Sequence, residues 1–89
     1  MRFPDEVNDD VTKRLRRLEG QIRGLQRMIA EGSDCREVVT QLSAAQAALD
    51  RIGYRLMAAG LRHCIADPDG AAQDGMTVDE LEALFLKLA

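Results

Sequence analysis

The chain has 89 residues, a formal net charge of −3, two cysteines, one histidine, two phenylalanines, one tyrosine and no tryptophan. That length confines it to one small domain, spanning 1–89, whose apolar material is mainly Leu, Ile, Val, Met and Ala; a lone copy would have a thin core, and there is little room for a substrate cleft. No apolar run approaches the roughly 18 residues of a membrane span and no basic start leads into a secretory stretch, so a cytosolic, reducing location is expected. There, cysteines read as ligands or reactive groups before they read as a structural disulfide.

Residues 1–8 read as a flexible N-terminus. Asp9 and Asp10 then offer an N-cap and a negative first turn, after which Val11, Leu15, Leu18, Ile22, Leu25 and Ile29 recur at alternating steps of four and three. This predicts a helix over about 9–31, ended by Gly32, with the period of a bundle seam. At "SDCREVV", Ser33 or Asp34 can cap a second helix, and Glu37 stands at the capping-box position after Asp34. Its stripe of Val38, Leu42, Ala45, Leu49, Ile52 and Leu56 continues through Leu61 and Cys64 to about Ala66, where "DPDG" stops it. A helix over 34–66 is long for so small a domain and needs a partner along its length, and Ala44, Ala45, Ala47 and Ala48 admit one closely. "DPDGAAQDG" reads as a flexible acidic loop. Thr77, with Glu80 at the box position, opens a last helix over 77–88 carrying Val78, Leu81, Leu84, Phe85 and Leu88. The class predicted is all-α.

The weak overall charge hides a polarity along the chain. Residues 11–30 hold Lys13, Arg14, Arg16, Arg17, Arg23 and Arg27 against Glu19, a net +5, whereas residues 66–89 hold six acids against Lys87, a net −5. Positive charge is therefore concentrated on the first helix, as an anion-binding face requires.

Cys35 and Cys64 fall at opposite ends of the second helix. At about 1.5 Å per residue they stand on the order of 43 Å apart and cannot meet within one subunit. An antiparallel pairing of this helix with its copy would instead bring Cys35 to Cys64 of the partner subunit, giving two identical dithiol sites per dimer. Cys35 lies in the first turn, beside Arg36, a setting suited to reactive sulfur, with Asp34 working against it. If both cysteines were merely small buried apolar residues, their placement at the two helix ends would have no explanation.

His63 adjoins Cys64, but neighbouring helical residues point about 100° apart and do not easily share one ion, so His63 reads first as a solvated or interfacial side chain. The residue one turn before Cys64 is Gly60. Glycine inside a helix costs about 1 kcal/mol relative to Ala, so Gly60 and Gly53 imply a packing or access requirement.

The stretches "RLRRLEGQIRGLQRMI" (14–29), "CREVVTQLSAAQAALDRI" (35–52) and "GLRHC" (60–64) resemble the copper-sensitive operon repressor family, all-α regulators that include nickel/cobalt, formaldehyde and persulfide sensors. The resemblance runs over nearly the whole chain. It implies a three-helix protomer, an antiparallel four-helix-bundle dimer and a disc-like homotetramer that binds operator DNA without a helix-turn-helix. It further implies that a dithiol site releases the DNA when it is bound or modified. By position the family's metal ligands fall on Cys35, Gly60 and Cys64. In the copper sensors the middle ligand is histidine, which with two thiolates makes a trigonal site suited to soft Cu(I). Glycine supplies no donor, and His63 is out of register.

The Cys, no ligand, Cys pattern is similar to the branch of copper-sensor-like sulfurtransferase repressors, which sense reactive sulfur species. On that reading a Cys35 thiolate attacks a persulfide or polysulfide. Cys64 of the partner subunit then attacks the product and closes a di- or polysulfide bridge, and Gly60 leaves room for the added sulfur. That reading needs no cofactor; the alternative implied by the resemblance is Cu(I), held linearly by Cys35 and Cys64 as its two thiolate ligands.

The resemblance also assigns DNA contact to Arg14 and Arg51. Lys13, Arg16, Arg17, Arg23 and Arg27 add charge nearby, so a steep salt dependence and partial readout of DNA shape are expected. Glu80 matches a position that couples the ligand site to DNA in copper sensors, and equally suits its capping role. The residue before Cys35, often Tyr in those sensors, is Asp34. Met28, Met57 and Met76 read as packing residues rather than copper ligands. The formaldehyde branch relies on a proline directly after the initiator, whereas Pro4 follows Arg2 and Phe3. A thiol enzyme is not expected, since there is no oxyanion-hole loop and no base at helical spacing. A plain helical interaction module would leave the polarised charge and the paired cysteines unexplained.

Overall fold

A computed structural model describes residues 1–88. Four helices account for it: α1 (Asp5–Ala30), α2 (Cys35–Ala66), α3 (Pro68–Gln73) and α4 (Val78–Leu86), with no strand among the described residues. The all-α class holds, with one short helix more than the three expected.

Two expected boundaries move. α1 begins at Asp5, so Asp9 and Asp10 lie inside it and residues 5–8 are not a flexible tail. Pro4 precedes the first turn, Asp5 and Glu6 supply its negative charge, and Asn8 donates from Nδ2 to the Phe3 carbonyl at 3.2 Å. What holds this turn is packing: Val7, four residues before Val11, is buried with it, and Phe3 lies against the same cluster.

The expected acidic loop contains α3. Asp67 caps it, accepting from the Gly70 amide at 3.1 Å, and Pro68 takes the first helical position, where a missing N–H costs nothing. The "DPDG" that stops α2 therefore starts α3. Ala71 on this turn is 1% exposed, so the segment is anchored rather than loose.

α1 and α2 form an antiparallel hairpin over a four-residue turn. Gly32 adopts φ +69°, and the Ser33 amide reaches back to the Met28 carbonyl at 2.9 Å, satisfying the end of α1 in a left-handed cap. Asp34 starts α2 by accepting from the Arg36 amide at 3.0 Å.

Each long stripe divides between two faces. Val11, Leu18 and Leu25 on α1 meet Ala45, Ala48, Ile52, Leu56 and Ala59 on α2. The intervening members, Leu15, Ile22 and Ile29 with Leu42 and Leu49, are 45–66% exposed. On α1 a step of seven keeps each set on its own side, while on α2 Leu56, seven after Leu49, turns inward; the hairpin has one seam closed internally and a second apolar seam on its outside.

Because α2 is longer than α1, its last two turns project beyond the hairpin. α3 packs at that end and α4 runs back along α2 from there, with Cys64, Ala71 and Leu81 forming a second cluster with Met76 and Phe85. The two interior glycines of α2 admit α4 and the residues that follow it: a Cβ on Gly60 would lie 2.9 Å from Leu81 Cδ1, and one on Gly53 would lie 3.3 Å from Leu88 Cδ1. The molecule is correspondingly long and thin, 54 × 24 × 14 Å. No helix among the described residues is long and apolar enough to cross a membrane.

Ile52 is 4% exposed and sits in the internal seam. Ile52→Ala should lower stability by about 2–5 kcal/mol in urea denaturation, the cost of deleting a buried aliphatic side chain.

Candidate functional site

The two thiols are as far apart as unbroken helix requires, because α2 runs continuously from Cys35 to Ala66. Their surroundings differ. Cys35 is the first residue of α2 and is exposed, whereas Cys64, in the last turn at the other end, is buried and 4% accessible. Cys64 donates from Sγ to the Met76 carbonyl oxygen at 2.8 Å. That carbonyl is placed by the cap of α3: Gly75 takes φ +71° and the Met76 amide returns to the Ala71 carbonyl at 2.8 Å. The sulfur thus ties α2 to the link between α3 and α4.

Gly60 is buried one turn before Cys64, and Leu81 fills the place its side chain would take. The expectation that Gly60 leaves room for added sulfur atoms does not hold in this protomer, because Leu81, itself 3% exposed, occupies that room. A ligand introduced at position 60 would have to displace Leu81 first.

His63 faces elsewhere. Its Nε2 is buried without a hydrogen bond and lies 3.8 Å from Asp74 Oδ2 at the end of α3, so it is turned to a carboxylate rather than to Cys64. Within the protomer no group of three His, Cys, Asp or Glu among the described residues could hold a metal ion. Glu80 is exposed and its amide donates to Thr77 Oγ1 at 3.3 Å, the expected cap of α4. Met76 packs in the cluster around Cys64, Met28 is half-buried, and Met57 is 38% exposed.

The basic side chains of α1 lie mostly on its outer surface: Lys13, Arg16, Arg17, Arg23 and Arg27 are exposed, as is Arg51 on α2. Arg23 pairs with Glu19 at 3.3 Å. Arg14 is half-buried and donates from Nε to Asp10 Oδ2 at 3.1 Å, and Arg55 of α2 donates from Nε to the same oxygen at 3.2 Å. Asp10, expected as an N-cap, instead joins the two long helices. Neither this role nor Arg55 was singled out from the sequence; the four-residue spacing of Asp10 and Arg14 is the signal that was available. Partial burial pushes the Asp10 carboxyl up, but the charge and hydrogen bond of Arg14, followed by those of Arg55, outweigh it and hold the carboxyl below the usual aspartate range.

The chain belongs to the family described as metal-sensitive transcriptional repressors, whose model matches residues 7–87. Among individual relatives, it is 35% identical over 79 residues to the copper-sensing transcriptional repressor CsoR of Bacillus subtilis, an alignment covering 89% of this chain and 78% of that one. It is 47% identical over 60 residues to the copper-sensing transcriptional repressor RicR of Mycobacterium tuberculosis, covering 67% of this chain and 62% of that one. The fold matches the crystal structure of the copper-sensing repressor CsoR with Cu(I) from Geobacillus thermodenitrificans with a TM-score of 0.80 and 32% identity, over 99% of this chain and 92% of the other. The chain is a transcriptional repressor by family, and its relatives are not enzymes.

Two outcomes follow from this geometry. A maleimide reagent should modify Cys35 rapidly and Cys64 slowly, with the slow rate rising as urea unfolds the chain, which mass spectrometry of the labelled peptides would follow. A carboxylate whose folded-state pKa is depressed contributes stability above the ordinary aspartate range that is lost on acidification through the lowered value. Asp10→Asn should therefore show a smaller drop in melting temperature than the parent between about pH 6 and about pH 3.

Proposed function

We propose that this chain is a single-domain cytoplasmic repressor that binds operator DNA through its basic first helix and leaves it when Cys35 and Cys64 of the partner subunit are engaged together. The observation that carries this reading is the placement of two thiols at the two ends of one unbroken helix. Only a second copy, lying antiparallel, can bring a sulfur to each. The outer seam of Leu15, Ile22, Ile29, Leu42 and Leu49 supports such a copy, since its members recur at steps of seven along each helix and are left uncovered in the protomer. We take the dimer to assemble further into a homotetramer, with Arg14 and Arg51 contacting DNA and Lys13, Arg16 and Arg17 adding positive charge beside them.

The effector favoured by the relatives is Cu(I), because the two named repressors and the matched structure are copper-sensing. The donor set present fits a soft ion held by two thiolates. It does not fit a trigonal site, since Gly60 brings no nitrogen and His63 is turned to Asp74. To bind, Cys64 must give up its hydrogen bond to Met76, which couples occupation of the site to the α3–α4 end of the molecule.

A second reading, that persulfides or polysulfides crosslink the same pair, rests on one observation: the position that carries histidine in copper sensors is glycine. Covalent capture by two sulfurs needs no third donor.

The test uses a duplex selected by the full chain from a random-sequence pool. Arg14→Ala and Arg51→Ala should each abolish binding while leaving both thiols reactive. Cu(I) should release the duplex from the parent protein and fail to release it from Cys35→Ala or Cys64→Ala, as read by fluorescence anisotropy. Release by an organic persulfide but not by Cu(I), with a crosslinked dimer heavier by whole sulfur atoms in intact mass spectra, would replace the copper reading by the second one. Release by neither would remove the dithiol pair as the effector site.

A further inference from the structure

Asp10 accepts two charge-assisted hydrogen bonds on one oxygen, from Arg14 Nε on its own helix and from Arg55 Nε on the neighbouring one. Two cations and one anion leave this cluster with net positive charge. The connection also fixes geometry. With Nε engaged, each guanidinium retains its two terminal amino groups, which make no hydrogen bond among the described residues. Those paired amino groups form the planar edge that matches two oxygens of a phosphate. Arg55 lies one turn after Arg51 on the same face of α2, and its side chain remains 29% exposed while Arg14's is 42% exposed.

A guanidinium loses rotamer freedom when it grips a phosphate, and a side chain already held at Nε has less freedom to lose. The carboxylate therefore sets two forks side by side across the α1–α2 seam, where a flexible pair of arginines would repel each other and spread.

We propose that Arg55 is a further DNA phosphate-contacting residue, held beside Arg14 by Asp10, which acts as the positioning residue for both. This rests on the reading of the α1 surface as the DNA interface and extends it to a residue of α2. Arg14, Arg51 and Arg55 then form one patch spanning both long helices, and relative movement of α1 and α2 alters the spacing of its forks.

The competing role for Arg55 is purely internal: a counter-charge that neutralises Asp10. A double-variant cycle separates the two. Arg55→Gln is measured alone and in an Asp10→Asn background, where a neutral amide pair still joins the helices, against the selected duplex at several salt concentrations. A phosphate-binding role predicts binding weaker by about tenfold when Arg55→Gln is added in either background, with a salt dependence shallower by roughly one counterion for each arginine replaced. It also predicts that Asp10→Asn alone weakens binding while leaving the salt slope unchanged, since the charges facing the DNA remain and only their placement is disturbed.

Equal affinity of Asp10→Asn with and without Arg55→Gln, at matched helical content and melting temperature, would overturn the proposal and leave Arg55 as a counter-ion. Tighter binding by Asp10→Asn would overturn the positioning role of Asp10. Arg14→Ala binding as the parent does would instead remove the underlying DNA-surface reading, so the two failures are told apart in one series.

Discussion

Thirty-two residues of helix without a break set the geometry on which everything else depends. A helix of that length is close to a rigid rod, and it holds its terminal groups apart as firmly as it holds neighbouring turns together. Cys35 and Cys64 are consequently kept apart by the backbone itself, and any chemistry that needs both must recruit another chain. The same rod is too long for α1 to cover. α3 packs at its overhang and α4 returns along it past Gly60, so the end that carries Cys64 is also where the chain turns back.

This arrangement makes the two thiols unlike in a way that suits a sensor. Cys35 is open at a helix start, available for first encounter. Cys64 is enclosed by Ala71, Leu81, Met76 and Phe85, and its hydrogen is committed to the Met76 carbonyl. A reagent or ion that engages the second sulfur must break that bond and disturb the cap of α3, and with it the seat of α4. Leu81 in the hollow over Gly60 has the same character, since a group that needs this space must move a buried side chain of α4. Both features connect the site to the outer helix through packing and hydrogen bonding, and neither needs a flexible loop.

The division of each apolar stripe into two seams sets which face of α1 is left for charge. On α1, Val11, Leu18 and Leu25 face α2 while Leu15, Ile22 and Ile29 face outward, so one repeat yields a covered seam and an exposed apolar one. That leaves the charged surface of α1 as its remaining face, and it is here that Lys13, Arg16 and Arg17 lie. Asp10 closes the arrangement by linking Arg14 and Arg55 across the hairpin. A single carboxylate in a strongly basic region lowers the net charge only slightly, and in return it orders the two cations that border the seam.

Much of this was legible in the sequence because it follows from local rules. The seven-residue recurrence fixed two long helices, Gly32 and Asp34 marked the turn between them, and the separation of the cysteines followed from counting. The split of the stripes into covered and uncovered halves was not legible, because Leu18 and Leu15 are equally apolar and only the position of α2 distinguishes them. α3 was hidden because Asp, Pro and Gly signal a turn as readily as a helix start. The first turn of α1 was hidden because Asp9 and Asp10 make as good a cap as Pro4 permits, and burial of Val7 against a distant segment decided between them. The hollow over Gly60 looked vacant in the sequence because a missing side chain says nothing of what fills its place. Tertiary structure put Leu81 there, Met76 on Cys64 and Arg55 beside Arg14, since contacts between residues far apart in the chain depend on how rods pack and not on the order of residues along them.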